Sequence, residues 1–248
     1  MTPRRSVASD TMDLGLSGKV ALVTAASKGL GRASAKALVD EGASVAINSR
    51  DPEALRATAA DLGGDVLALP ADVTEPDAPQ RLVEATVERF GTLDILVGNA
   101  GGPPKGSALE VDDATLLAAI NANLLTSVRL VRAAAPHMRA ARWGRICLIA
   151  SSSVKQPIPD LATSNTARAG LWGWAKTAAQ DLIGDGITLN LACPGLHATD
   201  RVKDLGFAGP LGDPADFGRV VAFLCSQHAG FISGVALQVD GASTLGLL

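Results

Sequence analysis

The chain of 248 residues contains no tyrosine, and phenylalanine and tryptophan together make up only 3% of it. Without tyrosine the protein lacks the phenol group, a weak acid with a pKa of about 10 that enzymes use to donate protons. Any proton that this protein transfers must therefore come from another group. The composition is otherwise that of a globular protein, with 47% hydrophobic and 19% charged residues.

Cysteine is also scarce. Cys147, Cys193 and Cys225 are odd in number and lack the spacing of metal ligands or of a redox pair. We interpret them as small buried hydrophobic residues, so the sequence predicts neither a disulfide framework nor a metal site.

The sequence has neither a surplus of positive charge nor a long apolar run. The 25 acidic and 22 basic residues give a net charge of −3 and are dispersed along the chain, which argues against nucleic acid as a partner. Apolar runs such as Val20–Val23 fall far short of the roughly 20 residues that span a bilayer. No apolar segment follows Arg4 and Arg5, so we predict no secretory signal and expect a cytoplasmic protein without membrane contact.

Short β-rich runs alternate with longer alanine-rich helical stretches. This alternation predicts a single doubly wound, Rossmann-type α/β domain over residues 16–248, with a seven-stranded parallel sheet and helices on both faces. Residues 1–15 are interpreted as a loose N-terminal extension. The predicted strands are 20–24, 44–49, 66–69, 93–97, 144–150, 187–192 and 235–239, and the predicted helices are 29–41, 52–62, 76–90, 113–139, 161–183 and 214–225.

A glycine-bearing turn directly follows the first predicted strand and opens the first helix. Backbone N–H groups in such a turn, together with the helix N-terminus, can approach the pyrophosphate of a dinucleotide. The turn consists of Thr24, Ala25, Ala26, Ser27, Lys28, Gly29, Leu30 and Gly31.

Three further motifs follow the third, fourth and sixth strands: Asp72-Val73, Asn99-Ala100-Gly101, and Pro194-Gly195 with Thr199. In type and order, these motifs and the turn resemble those of the short-chain dehydrogenase/reductase family, in particular its 3-oxoacyl-carrier-protein-reductase-like branch. The resemblance covers about residues 16–248, with Ala25 where the family has its first turn glycine. It implies a Rossmann-type fold that binds a dinucleotide through these positions.

The end of the second strand indicates which dinucleotide is used. An acidic residue there binds the ribose 2′-hydroxyl of NAD, whereas an arginine accommodates the 2′-phosphate of NADP. Here Ser49 and Arg50 occupy this place, and Lys28 provides a second cation in the turn. We therefore predict NADP rather than NAD as the cofactor.

The resemblance also identifies the catalytic positions: a serine after the fifth strand, a Tyr-x-x-x-Lys motif on the next helix, and an asparagine on the preceding helix. Ser151 and Asn123 match the serine and the asparagine, but Ser164 and Arg168 stand in place of tyrosine and lysine. These two residues lie four positions apart on one helix face. Serine is a far weaker acid than tyrosine, and arginine keeps a permanent charge, so the motif retains electrostatic support without the usual proton supply.

Another proton donor is available in His197, which lies two residues after Pro194-Gly195 and titrates near neutral pH. An incidental loop histidine is the alternative interpretation. Residues 199–214 form a short substrate-lid segment, which predicts an open pocket or one completed by another subunit. Leu205, Phe207 and Leu211 are its candidate lining residues.

Together these features predict an NADP-dependent oxidoreductase that transfers a hydride between the cofactor and a small-molecule carbonyl or alcohol. Ser151 would polarise the oxygen, Arg168 and Asn123 would order cofactor and water, and Ser164 or His197 would relay the proton. Two alternatives stay open: a non-redox isomerase, dehydratase or cyclase on the same scaffold, and a catalytically inactive binding or assembly subunit. The resemblance further implies a homo-oligomer, either a tetramer or a dimer.

Overall fold

Seven parallel strands form one sheet in the order β3-β2-β1-β4-β5-β6-β7. The computed structural model describes residues 12–203 and 209–247. The strand order reverses between β1 and β4, which opens a crevice at the carboxyl ends of these strands. The predicted doubly wound, seven-stranded domain is confirmed. The strands are β1 (Val20–Val23), β2 (Ser44–Ser49), β3 (Val66–Pro70), β4 (Ile95–Gly98), β5 (Gly144–Ile149), β6 (Ile187–Pro194) and β7 (Ala236–Val239).

Helices cover both faces of the sheet. One apolar core lies between the sheet and α3, α5 and α6, and a second lies between the opposite face and α1, α2 and α8. Because both faces are covered, β1, β4 and β5 are buried along their whole length and read as apolar runs in the sequence. The helices are α1 (Gly29–Asp40), α2 (Pro52–Leu62), α3 (Ala78–Phe90), α4 (Asp113–Ile120), α5 (Thr126–Ala141), α6 (Ala162–Ile183), α7 (Asp200–Lys203) and α8 (Pro214–Leu224).

Aspartate caps fix the start of three helices. The carboxylates of Asp51, Asp112 and Asp213 accept backbone N–H groups in the first turns of α2, α4 and α8. In α2 and α8 a proline occupies the first turn, where its missing N–H costs nothing. These local signals explain why the predicted starts of α2, α4 and α8 agree with the structure.

The single helix predicted over 113–139 is wrong in one respect, because a π-helical turn, Asn121–Leu125, separates α4 from α5. The Asn121 carbonyl accepts both the backbone N–H and the hydroxyl of Thr126, five residues later, which stabilises the wider turn. Across this turn Gly170 of α6 packs so closely that an added Cβ would lie 2.8 Å from Leu124. The turn thereby places Asn123, only 3% exposed, on the side that faces α6.

The segment Asp113–Ala141 is also long and apolar enough to cross a membrane, judged by length and composition, with a mean hydropathy of 1.4. Only 39% of its most apolar window is buried within the subunit. Its inner side packs on β4 and β5, as expected for a sheet-covering helix. The cytoplasmic location remains a prediction.

Some expected features fall partly or wholly outside the described residues. Residues 1–11 of the proposed extension and residues 204–208 of the lid segment, including Leu205 and Phe207, are not described. The described part of the lid contains α7 and a backbone bridge between His197 and Gly212, neither of which was predicted.

Candidate active site

The crevice at the reversal of strand order is bounded by the ends of β1 and β4, which are joined by reciprocal hydrogen bonds. The Thr24 hydroxyl donates to the Asn99 carbonyl at 2.7 Å and accepts the Asn99 N–H at 2.8 Å. The Asn99 side chain donates to the carbonyl of Ala25 at 3.2 Å. The residues after β4 therefore hold the backbone of the glycine-bearing turn in place, followed by Ala100 and the exposed Gly101.

The turn itself has the close backbone approach that a dinucleotide site needs. A Cβ at Gly31 would lie 2.4 Å from the carbonyl oxygen of Ala25, so glycine is required there. Gly29 has a φ of +59°, and Ala25 has a φ of +46°, a conformation that favours glycine. Gly29 also lies against Thr199, with 3.6 Å between its ideal Cβ position and the Thr199 methyl carbon. Ser27, Lys28, Gly29 and Thr199 border one part of a cavity of about 830 Å³, whose other walls are mainly residues of α1 and α8. This arrangement fits a pyrophosphate group.

At the end of β2, two cations are available for a 2′-phosphate. Arg50 and Lys28 are exposed, and neither forms a hydrogen bond or ion pair with any residue in the described ranges. The Ser49 hydroxyl donates to the Asp51 carbonyl at 3.3 Å, which leaves its lone pairs free to accept. The chemistry of these side chains fits a phosphate and offers no carboxylate at the position that would bind a 2′-hydroxyl.

Beyond β3, Asp72 is held in a tight turn by Thr74. The backbone N–H and the hydroxyl of Thr74 both donate to its carboxylate, at 2.9 and 2.7 Å, and hold the pKa of Asp72 below its usual range. The positive charge of Arg50 lowers it further, against the opposing effect of burial. The Asp72 carboxylate is therefore ionised, and the turn holds it in one orientation. Its neighbour Val73 is buried, at 7% exposure.

The residues after β6 form the opposite wall. Gly195 lies so close to Asp240, at the end of β7, that an added Cβ would be 2.8 Å from its Cα. The Gly195 N–H donates to Val239, which continues the pairing of β6 with β7 past Pro194. Thr199 donates its N–H to the carbonyl of His197 at 2.7 Å. These contacts fix the path by which the chain enters the lid.

Ser151 lies two residues after β5 and begins a short 3-10 turn, Ser152–Val154. Its hydroxyl oxygen accepts the backbone N–H of Ser153 at 3.1 Å. With one acceptor position used by the backbone, the hydroxyl proton remains free to donate to a substrate oxygen. Ser151 therefore offers a hydrogen-bond donor just past the carboxyl end of β5, the strand that pairs with β4.

Arg168 and Asn123 form a buried hydrogen-bonded pair. One guanidinium nitrogen of Arg168 donates to the Asn123 side-chain oxygen at 3.0 Å, and another donates to the Ile149 carbonyl at 3.2 Å. The Asn123 amide in turn donates to Ala119 at 3.4 Å. Arg168 is only 8% exposed. A permanent positive charge is therefore fixed between α6, the end of β5 and the π-helical turn.

Ser164 lies one turn before Arg168 on α6 and is 6% exposed. Its hydroxyl forms no hydrogen bond within the described residues. It can exchange a proton with water, but it lacks the acidity of a phenol.

The structure does not join His197 to these groups. Its ring packs edge-on against Phe217 of α8 at 5.2 Å between centroids, and its Nδ1 lies 3.3 Å from the Gly195 carbonyl. A Cβ on Gly212 would be 2.8 Å from its Nε2. His197 is 5% exposed, and none of these contacts reaches Ser151 or Ser164. The geometry gives it a packing role at the base of the lid, so its proposed role as proton relay gains no support.

Cys193, at the end of β6, is another ionisable group next to the catalytic positions. Burial raises the pKa of its thiol to about 11, although the Ser151 N–H and the charge of Arg168 act in the opposite direction. The thiol is therefore neutral near pH 7 and does not act as a nucleophile. This agrees with its interpretation as a buried hydrophobic residue, as does the burial of Cys147 and Cys225. Among the described residues, no group of His, Cys, Asp or Glu has the arrangement of a metal site.

Sequence reasoning missed the residues on either side of Ser164. The hydroxyl of Thr163 donates to the Pro104 carbonyl at 2.8 Å, and the side chain of Asn165 forms two hydrogen bonds with the backbone of Ile158. The sequence offered one signal, an amide residue directly beside a catalytic position and a short distance after two prolines, but no local pattern states which backbone it binds.

Comparison with known proteins supports the family resemblance that the sequence motifs indicate. The family model described as short chain dehydrogenase matches residues 19–207. The chain is 34% identical over 237 residues to a 3-oxoacyl-[acyl-carrier-protein] reductase of Haemophilus influenzae, covering 91% of this chain and 98% of that protein.

Two solved structures show the same fold. The L-sorbose reductase of Gluconobacter frateurii, solved in complex with NADPH and L-sorbose, superposes with a TM-score of 0.88 at 32% identity, covering 93% of this chain and 98% of the reductase. The NADPH-dependent reductase YwfH of bacilysin biosynthesis superposes with a TM-score of 0.89 at 23% identity, over 92% and 99% of the two chains, and bears on the fold alone. The sequence motifs, the seven-stranded fold and the family match agree, and the chain belongs to the short-chain dehydrogenase/reductase family.

Proposed function

We propose that this protein is an NADP-dependent oxidoreductase that transfers a hydride between the cofactor and a carbonyl or alcohol substrate. The observation that carries the proposal is the arrangement of Ser151, Asn123 and Arg168 beside a phosphate-compatible crevice. The NADPH complex of the sorbose reductase supports the choice of cofactor. Thr24 to Gly31, Asp72, Asn99 and Thr199 would hold the dinucleotide, and Arg50 with Lys28 would hold its 2′-phosphate.

When bound, NADPH supplies the hydride that reduces the carbonyl carbon. Ser151 donates a hydrogen bond to the carbonyl oxygen and so stabilises the negative charge that develops there. Arg168 contributes a fixed positive charge and orients Asn123 through their hydrogen bond. Ser164 relays a proton from water to the oxygen, because its hydroxyl forms no hydrogen bond within the described residues and is free to make one.

One observation favours a second candidate, a non-redox catalyst on the same scaffold. Ser151, Ser164, Asn123 and Arg168 include no side chain that gains or loses a proton near pH 7. An isomerisation or a dehydration transfers no hydride, so it does not depend on a phenol placed beside the nicotinamide. An inactive binding or assembly subunit would also tolerate this set of residues. Oxidation of NADPH in the presence of a carbonyl substrate would distinguish the oxidoreductase from the non-redox catalyst and from the inactive subunit.

The direct test is a titration with NADPH and NADH, followed by fluorescence and thermal shift. We expect NADPH to bind more tightly and to raise the melting temperature, because a ligand that binds the native state stabilises it. The variant Arg50→Ala should weaken NADPH binding about tenfold or more and leave NADH binding nearly unchanged, since a charge-assisted phosphate contact contributes about 1.5–3 kcal/mol.

The matched control is Arg56→Ala, since Arg56 is an exposed arginine on α2. Its loss should leave the affinities for both nucleotides unchanged. If neither nucleotide changes the fluorescence or the melting temperature, the oxidoreductase proposal is wrong. If NADPH binds but a panel of aldehydes and ketones gives no oxidation of NADPH, the non-redox or inactive alternatives are favoured.

A further inference from the structure

Asn165, the residue directly after Ser164, holds the loop that joins the two serine positions. This catalytic loop, residues 152–161, leads from Ser151 at the end of β5 to the start of α6. The Asn165 side-chain oxygen accepts the N–H of Ile158 at 3.1 Å, and its amide nitrogen donates to the Ile158 carbonyl at 2.9 Å. Only one orientation of the amide satisfies both bonds, so the contact defines a single arrangement.

The two prolines beside Ile158 explain why a side chain is needed there. Pro157 and Pro159 have no backbone N–H, so Ile158 carries the only donor of this tripeptide. A residue that precedes proline is also driven towards extended backbone, which prevents the loop from continuing as a helix. The amide of Asn165 therefore acts as a substitute for a neighbouring strand: it accepts the Ile158 N–H and donates to the Ile158 carbonyl, which also accepts the N–H of Leu161 at 3.3 Å.

A second set of contacts ties this loop to the loop after β4. The Gly106 N–H donates to the backbone carbonyl of Asp160, and the Gly106 carbonyl accepts the N–H of Ala162. The Thr163 hydroxyl donates to the backbone carbonyl of Pro104. Ser164 is thus flanked on one side by a residue bonded to the β4 loop. On the other side it is flanked by Asn165, which is bonded to the catalytic loop. Both anchors therefore hold the segment that connects Ser151 to Ser164.

We propose that Asn165 is a positioning residue that holds the catalytic loop at Ile158 and so sets the distance and orientation of Ser151 relative to Ser164. The catalytic consequence rests on the proposed function, whereas the anchoring itself does not. Asn165 lies on the outer side of α6, next to a cavity of about 430 Å³ bordered by Pro157, Ile158 and Thr166. Water can enter this space, so loss of the amide should loosen the loop without preventing folding.

The first test measures anchoring without any substrate. In hydrogen exchange of the apoprotein, Asn165→Ala should speed exchange of the Ile158 amide, the one backbone amide of residues 157–159, at least tenfold. Asn165→Asp keeps an acceptor for the Ile158 N–H and removes only the donor to the Ile158 carbonyl, so it should speed exchange less than Asn165→Ala does. Thr166→Ala, on the same exposed side, should not. Unchanged exchange in both Asn165 variants would overturn the proposal.

The second test separates positioning from a purely structural role. In carbonyl reduction, Asn165→Ala should lower kcat about tenfold to hundredfold, because a misplacement of about 1 Å costs that much, with the NADPH dissociation constant unchanged. A parallel loss of melting temperature and of NADPH affinity, or an unchanged kcat despite faster exchange, would contradict positioning. If the wild-type protein reduces no carbonyl, the proposed function fails, and the exchange data alone then decide whether Asn165 anchors the loop.

Discussion

The four polar residues at the catalytic positions make a specific prediction about pH. Ser151, Ser164, Asn123 and Arg168 have no side chain that changes its protonation between about pH 5 and 9. A tyrosine or histidine donor would give kcat/KM a limb at its own pKa, since only one protonation state is active. We expect kcat/KM for carbonyl reduction to be flat between pH 6 and 9 at constant ionic strength. A limb in the profile that disappears in His197→Gln would instead identify His197 as the donor.

Restoring the phenol should change both the rate and its pH dependence. In the double variant Ser164→Tyr/Arg168→Lys we expect kcat for reduction to rise about tenfold to hundredfold, within the usual contribution of general acid catalysis. Because a phenol donates its proton only while protonated, the rate should fall as the pH rises through its pKa. Each single variant serves as a control, since Arg168→Lys alone loses a donor to Asn123 or Ile149. An unchanged rate in the double variant would show that these positions do not limit proton transfer.

The backbone of Ala25 offers a test of the turn that is independent of catalysis. A non-glycine residue at a φ of +46° is strained, by about 1 kcal/mol. Ala25→Gly removes this strain, but it also increases the flexibility of the unfolded chain, which offsets part of the gain. We expect a net increase in the free energy of unfolding of up to about 1 kcal/mol, measured by urea denaturation. Gly184→Ala, at an exposed helix end with free space around it, is the control and should not destabilise the protein.

Among the elements, the turn after β3 couples stability to pH. Hydrogen bonds from Thr74 depress the pKa of Asp72 in the folded state. The ionised carboxylate therefore stabilises the fold above its unfolded pKa of about 3.9, and this contribution is lost as the pH falls through the lower folded value. Thr74→Val removes the hydroxyl bond, so we expect a lower melting temperature than wild type at pH 7 and a smaller difference at pH 3. The control is Thr166→Val, at an exposed position on α6, whose effect on the melting temperature should be the same at pH 7 and at pH 3.

How far the elements could be predicted depended on how local their signals were. The starts of α2 and α8, which aspartates cap, and the apolar runs of the covered strands depend on local sequence, and the predicted starts of these two helices agree with the structure. The π-helical turn depends on Thr126 competing for one carbonyl and on close packing of α6 at Gly170, so a helical period alone could not reveal it. The Asn165 contact joins residues seven apart across an irregular loop, and the environment of His197 depends on α8 folding back. Periodicity carries no information about such contacts.

At the scale of the whole molecule, the exposed large apolar side chains of the described residues include two groups that another copy of the chain could cover. Leu117 and Leu125, on α4 and the π-helical turn, are 64% and 37% exposed, on the segment whose most apolar window is only 39% buried. Leu237 on the edge strand β7 and the nearby Leu245 are 39% and 86% exposed. Burial of these surfaces between subunits would remove large apolar side chains from water, which is the main driving force of association.

We therefore expect light scattering to give a mass that is two or four times the 25.2 kDa of one chain. Leu117→Glu/Leu125→Glu should shift the protein towards smaller species, since a charge placed in an apolar interface is costly to bury. Because the same turn carries Asn123, which Arg168 binds, dissociation should also lower activity more than it lowers the melting temperature. Leu109→Glu, in a fully exposed position before α4, is the control and should leave the mass unchanged. A wild-type mass equal to one chain would refute the oligomer prediction and leave the exposed face of α4 without a partner copy.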